Sequence, residues 1–372
     1  MDRRIIIAFT VSILFFLVAW AQGIKEVDYL REVYSGPSDQ WPKPTIDDGI
    51  DWKEIAALPD NPYRNVDSLK PIIELGKVLF FDPRLSASNQ ISCGSCHDPE
   101  LGWSNGRSNA IGHDHQLGSR NAMGLANSWA NTSFFWDGRA KSLEEQALMP
   151  IEDPIEMHGN LDEITEKIAS IKGYAQLFET AYDSDEVTTE RIAQSLAYFQ
   201  RSITSRKSDF DYFLGGKTEA MTDEAILGMH LFRTKARCMN CHNGPFFTDR
   251  KFHNLGLHYY GRKYEDRGRY VITENPEDMG AFKTPSLRDV MFTGPWMHNG
   301  FFGDIEGVIN MYDNGMARPK PRPGLEDDPL FPTTSPILKK LNLTEEEKQH
   351  LIAFLESISA TPFRMGRPEL PE

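Results

Sequence analysis

Two five-residue clusters hold all four cysteines of the chain: Cys93-Gly94-Ser95-Cys96-His97 and Cys238-Met239-Asn240-Cys241-His242. Two thiols spaced this way can add across the vinyl groups of a haem, while the histidine that follows takes the iron. A redox dithiol or half a zinc site would also use Cys-x-x-Cys. A zinc centre needs a second pair close by, whereas here each pair brings its own histidine. The reading is one covalent haem c at each cluster, with no thiol left for a disulfide or a nucleophile.

The elements around the clusters repeat. Glu74-Leu75-Gly76-Lys77-Val78-Leu79-Phe80 precedes the first and Ile226-Leu227-Gly228-Met229-His230-Leu231-Phe232 the second, both reading as a helix that ends shortly before the haem. The halves also close alike. Thr188-Thr189-Glu190 opens a helix with Ile192, Leu196, Phe199 and Ile203 at helical spacing. Thr344-Glu345-Glu346 opens another with Leu351, Phe354, Leu355 and Ile358 on one face. Strand-like alternation is scarce. The expected fold is therefore mainly α: two class I cytochrome c-like domains, each with one covalent haem c and long loop insertions.

The expected boundaries are 66–205 and 206–372, with the link near Ser205–Thr222, where Gly215-Gly216 interrupts the helical pattern. Residues 22–65, rich in Pro and Asp, are read as an extended N-terminal arm. Residues 1–21 carry Arg3-Arg4, an apolar run from Ile5 to Trp20 and the small-x-small step Ala19-Trp20-Ala21. That run falls short of the roughly 18 residues of a spanning helix, so a cleaved signal peptide is the first reading and an uncleaved anchor the second. Either sends the chain to the periplasm, where c-type haem is attached. The formal charge of −14 over 372 residues excludes nucleic-acid binding, which needs a basic face. It suits solubility, or the steering of a basic electron-transfer partner.

Further blocks accompany the haem motifs: Phe135-Trp136-Asp137-Gly138-Arg139, Leu143-Glu144-Glu145-Gln146-Ala147, Pro154-Ile155-Glu156-Met157, Phe282-Lys283-Thr284-Pro285-Ser286 and Met297-His298-Asn299-Gly300. In this order they resemble the bacterial diheme cytochrome c peroxidases and their MauG-like relatives, over most of the chain after Leu69. The resemblance implies a peroxidatic haem on His97 and an electron-transfer haem on His242. It implies that Glu156 is the catalytic acid–base, that Gln146 hydrogen-bonds peroxide, and that Trp136 relays electrons or holes between the haems. Asn121, Thr293 and Pro295 match an interdomain calcium site. His113, sixteen residues beyond His97, stands where peroxidases place a distal histidine that leaves on activation. His115 competes for that place, and MauG-like members have no such ligand.

The departure is at the second haem. Peroxidases carry a methionine ligand after the Met-His-Asn-Gly block, and the position counted from His298 is Tyr312, as in the MauG-like branch. Residues 304–314 read as a helix with Ile305, Val308, Ile309 and Tyr312 on one face. Met311 lies one step round, and Met316 follows Gly315. An anionic oxygen favours ferric iron, while thioether sulfur raises the potential.

The expected activity is reduction of hydrogen peroxide to water with electrons from a small redox protein, a cytochrome c or cupredoxin. A MauG-like oxidase that modifies a partner protein is one alternative; a diheme electron carrier or sensor without turnover is another. The reading leaves room for a homodimer.

Overall fold

The structure is a computed structural model, and it describes residues 26–362 and 364–372. The signal or anchor expected in residues 1–21 lies outside the described residues. The helices in chain order are α1 (residues 26–35), α2 (Lys70–Phe81), α3 (Cys93–Cys96), α4 (Leu143–Glu152), α5 (Leu161–Ala169) and α6 (Lys172–Tyr182). They continue with α7 (Thr189–Ser202), α8 (Asp209–Leu214), α9 (Asp223–Arg233), α10 (Tyr270–Thr273), α11 (Ile305–Asp313) and α12 (Glu345–Ser357). Strands among the described residues are limited to Phe252–His253 and Phe282–Lys283, paired antiparallel with Phe252 opposite Lys283. Among the described residues no helix is long and apolar enough to cross a membrane.

Two apolar cores organise the chain. One gathers Leu75, Leu79, Phe80, Leu196 and Phe199; the other gathers Ile226, Met229, Phe232, Leu351 and Phe354. In each, the helix before a cysteine cluster crosses the closing helix of its half at a glycine. A Cβ on Gly76 would lie 1.9 Å from the carbonyl oxygen of Ser195, and one on Gly228 would lie 1.8 Å from that of His350. The aromatic ring one turn on packs alike: Phe80 on Phe199 at 5.1 Å, Phe232 on Phe354 at 5.1 Å. Gly228→Ala is thus expected to lose about 3 kcal/mol of stability through overpacking against backbone, although alanine gains about 1 kcal/mol in helix propensity. A denaturant titration of the haem-loaded protein measures it, and a variant as stable as the wild type would contradict this account of the crossing.

The correspondence continues past the crossings at one constant interval. Isolated bridges join Phe134 to Ala140 and Trp296 to Phe302, so Trp136 and His298 are counterparts. Asn127 and Asp289 share a left-handed backbone at φ 62° and 60° and each opens a short 3-10 turn. Ser142 caps α4 by accepting from the amide of Glu145, and Asp304 caps α11 by accepting from that of Gly307. Pro150 and Tyr312 are then each the eighth residue of their helix, as Gln146 and Val308 are each the fourth.

The 22–65 segment is not extended throughout. Residues 26–35 form α1, whose Val27, Leu30 and Tyr34 are buried in the second half's core with Trp41 and Ile55. A helix this short forms because its apolar stripe finds a partner. The expected link near Ser205–Thr222 likewise holds α8, capped by Ser208. Beyond α1 the arm runs along the second cysteine cluster. Thr45 and Asp47 bond Asn240, and the carbonyl of Lys53 accepts from Gly244. The Arg288 guanidinium donates to Asp211 at 2.8 Å and to the carbonyl of Ala56 at 2.8 Å, while Leu58 donates to Asp211 at 2.7 Å. That buried pair is fully hydrogen-bonded, the condition under which a buried charge is tolerated.

Candidate active site

Each cysteine cluster folds into one tight turn, closed by the amide of its histidine donating to the carbonyl of its first cysteine. Cys93 and Cys96 bound α3, and Cys238 opens the 3-10 turn Cys238–Asn240. The Nδ1 of His97 lies 2.9 Å from the carbonyl of Trp103, and the Nδ1 of His242 lies 3.0 Å from that of Phe247. A carbonyl only accepts, so Nδ1 carries the proton in both rings and Nε2 is left free to ligate an iron. Burial pushes both imidazoles below their ordinary value, which keeps them neutral. Burial also pushes the Cys93 and Cys238 thiols up to about 12 and Cys96 to about 11. A redox dithiol needs a lowered thiol; these sites lack that property, and their residues fit thioether-linked haem.

Beside the second cluster lies a cavity lined by Cys238, Cys241, His242, Ile309 and Tyr312, with Trp136 also in its wall. Of the three rival ligands, Tyr312 lines this cavity. Met311 and Met316 do not line it; Met316 belongs to a cluster with Leu257 and Leu338, against which Met311 and Tyr312 both pack. Burial, with the Cys241 and Cys238 sulfurs, pushes the Tyr312 hydroxyl above its ordinary value. It therefore loses its proton only against a positive charge. Sequence reading overlooked one group here: Cys241, Asp249 and His253 place their ligating atoms within 4.8 Å of one another. With Cys241 reserved for a haem, as its motif would require, what would remain is a hydrogen bond of 2.7 Å between Asp249 and His253.

At the first cluster, Pro150 has no amide hydrogen to give and α4 ends two residues later. The chain then turns on Asp153, whose side chain accepts from the amides of Ile155 at 2.8 Å and Glu156 at 3.3 Å. This sets Glu156 close enough to the Cys93 and Cys96 sulfurs to raise both thiols further. Burial and Asp153 push the Glu156 carboxyl up, and Arg139 opposes them. The Gln146 Oε1 is buried with no hydrogen-bond partner among the described residues. Such an atom is costly unless a ligand or water meets it.

The His113 loop packs on the same turn, its amide donating to the carbonyls of Ile155 and Glu156 at 2.9 Å each. The ring of His113 stacks on His158 at 4.6 Å with 10° between planes, and its Nδ1 is buried without a partner. His115 is exposed.

Trp136 sits where the halves meet. It is 9% exposed, donates from Nε1 to the carbonyl of Asn121 at 2.9 Å, and meets the ring of His298 edge-on at 6.5 Å. His298 in turn stacks on Phe282 at 3.5 Å, and burial lowers its imidazole to about 3, so it stays neutral. Arg120 lies over Phe282 at 5.5 Å and ties the halves together through Asp137 at 2.6 Å and Asp266 at 2.7 Å. The roles of His298 and Arg120 went unread in the sequence, although the repeat pairs His298 with Trp136. Asn121, Thr293 and Pro295 line the same cavity wall. The Asn121 amide nitrogen donates to the carbonyls of Arg107 and Ser108, which turns its oxygen away from them.

A mainly helical chain with duplicated Cys-x-x-Cys-His turns and a tryptophan at the junction of its halves is the architecture of diheme cytochrome c-like oxidoreductases. The family model for di-haem cytochrome c peroxidase matches residues 70–219. The methylamine utilization protein MauG of Methylorubrum extorquens is 36% identical over 360 residues, covering 95% of this chain and 98% of that protein. Cytochrome c551 peroxidase of Nitrosomonas europaea is 38% identical over 256 residues, 67% of this chain and 76% of that protein. A solved MauG-like protein associated with microbial copper homeostasis superposes with a TM-score of 0.70 at 29% identity, covering 86% of this chain and 98% of that one. The chain belongs to the di-haem cytochrome c peroxidase and MauG family, oxidoreductases that act on peroxide.

Proposed function

We propose that the chain is a periplasmic enzyme with two covalent haems, which cleaves hydrogen peroxide on the His97 side and takes electrons from a small redox protein. The two haems supply peroxide binding and the storage of oxidising equivalents; the protein decides which of them is accessible. The observation that carries the reading is the pairing of Pro150 with Tyr312 at the eighth position of α4 and α11. Tyrosine offers a ligating oxygen and proline offers none, so one site is closed from its helix and the other is left open. What supports Gln146 and Glu156 as the groups that meet peroxide there is the buried, unpartnered oxygen of Gln146, counterpart of cavity-lining Val308, and the raised carboxyl of Glu156, which could move a proton. Trp136 offers the route between the halves.

His113 is the remaining candidate for a removable ligand, but its ring is engaged with His158. The test is electron paramagnetic resonance of the ferric protein, alongside a pyridine haemochrome count. Two haems per chain and one high-spin signal are expected. A single haem would overturn the attachment reading, and two low-spin signals would overturn the open site. Tyr312 favours a second reading, a MauG-like oxidase acting on a partner protein, since its oxygen suits a shared oxidised state better than a stored electron. The Asn121 amide oxygen, with carbonyls from Thr293 and Pro295, suits a hard cation such as calcium at the junction.

A further inference from the structure

We propose that Lys283 is a tethered cation: its ammonium holds one side of the junction in the place that a divalent cation takes at Asn121 on the other side. The inference rests on the calcium reading of Asn121. Its ground is the pairing of the halves. The amide of Asn121 donates to the carbonyl of His298 at 2.7 Å, and the amide of Lys283 donates to the carbonyl of Trp136 at 2.8 Å. One residue on, the carbonyl of Ala122 accepts from the Ser104 hydroxyl at 3.1 Å and that of Thr284 from the Thr248 hydroxyl at 2.7 Å. Asn121 and Lys283 are therefore counterparts, as Trp136 and His298 are.

The same interval pairs Ser133 with Pro295 and Asn131 with Thr293, the latter of each pair being the candidate calcium ligands. The Lys283 ammonium donates to the carbonyl of Ser133. It thus meets on its side the backbone oxygen whose twin, that of Pro295, is read as a calcium ligand with Asn121. Lys283 is 4% exposed and, among the described residues, is paired with no carboxylate; its charged neighbour is Arg250, another cation. Burial and Arg250 push the ammonium down to about 8, so it remains largely charged at neutral pH. Keeping a charge there costs stability, and a clamp on the turn that carries Trp136 gives that cost a purpose.

The test uses holoprotein stripped with a chelator, reloaded with calcium alone, desalted, and counted by emission spectrometry. Lys283→Asn recreates the Asn121 arrangement and should bind one more calcium per chain than the wild type. Lys283→Met should gain none and melt at a lower temperature that calcium does not restore, while Lys283→Arg recovers the wild-type midpoint. A Lys283→Asn protein that keeps both haems but gains no calcium would overturn the proposal. So would a Lys283→Met protein that melts like the wild type. Should Lys283→Asn not fold, the Met and Arg pair decides the question alone. A wild type that binds no calcium sinks the Asn121 reading, and the same pair then judges Lys283 separately.

Discussion

Glu156→Gln should slow the reaction with peroxide by about 10²–10⁴-fold, the usual scale of positioned acid–base assistance, while both haem spectra stay close to those of the wild type. Peroxide must give up a proton from one oxygen and receive one on the other as the bond between them breaks. A single carboxyl beside the bound molecule can do both; an amide of the same shape can do neither. Burial and Asp153 hold the Glu156 carboxyl above its ordinary value. The rate should therefore fall on the acid side at a pH above the ordinary glutamate range of about 4.3, and this limb should vanish in the glutamine variant. The stability effect has the opposite sense. A raised carboxyl favours the fold when protonated, and that contribution is lost as pH rises through its folded value. At neutral pH the variant should be no less stable than the parent. Stopped-flow mixing with peroxide across pH reads both effects, and wild-type rates would remove Glu156 from the chemistry.

Tyr312→Met should raise the midpoint potential of the haem held by His242 and leave the other nearly unchanged. Tyr312 lines the cavity over that cluster and Met311 and Met316 do not, although all three also meet the cluster of Leu257 and Leu338. Its hydroxyl is pushed up by burial, so ionisation must be coupled to a positive charge facing it. Replacing an anionic oxygen with thioether sulfur removes the preference for the oxidised metal. Spectroelectrochemical titration should show one wave moving upward, together with a weaker near-infrared signature of any oxidised state shared by the haems. If the wild-type near-infrared spectrum already carries a methionine–haem band, Tyr312 is not the ligand, and the second site is an ordinary electron store.

The Cys-x-x-Cys-His turns were legible because their spacing is fixed, and both fold into tight turns. The closing helices and α11 were legible because Thr188, Thr344 and Asp304 stand at their N-caps before apolar stripes. Helix α1 was missed. Val27, Leu30 and Tyr34 have helical spacing, yet three apolar residues in a polar, proline-rich stretch are a weak signal until the core that receives them is known. The pairing of Trp136 with His298 was missed for another reason. Their side chains differ, and only the bridges on either side reveal them as counterparts. Lys283 was quoted within a family block and given no role, because a buried lysine cannot be told from an exposed one before its surroundings are known.

The arm also sets an order of events. Residues 26–58 leave the ribosome ahead of everything they pack against, and their partners, from α8 to α12, are made last. Until then Tyr34, Trp41 and Ile55 have nowhere to go, and the second cysteine cluster lacks the strap that runs across Asn240 and Gly244. The first half can close on itself meanwhile, since its core draws on residues 75–203. Contacts this distant in sequence carry the largest loop-closure cost and form late. The second cluster should therefore stay accessible longer than the first.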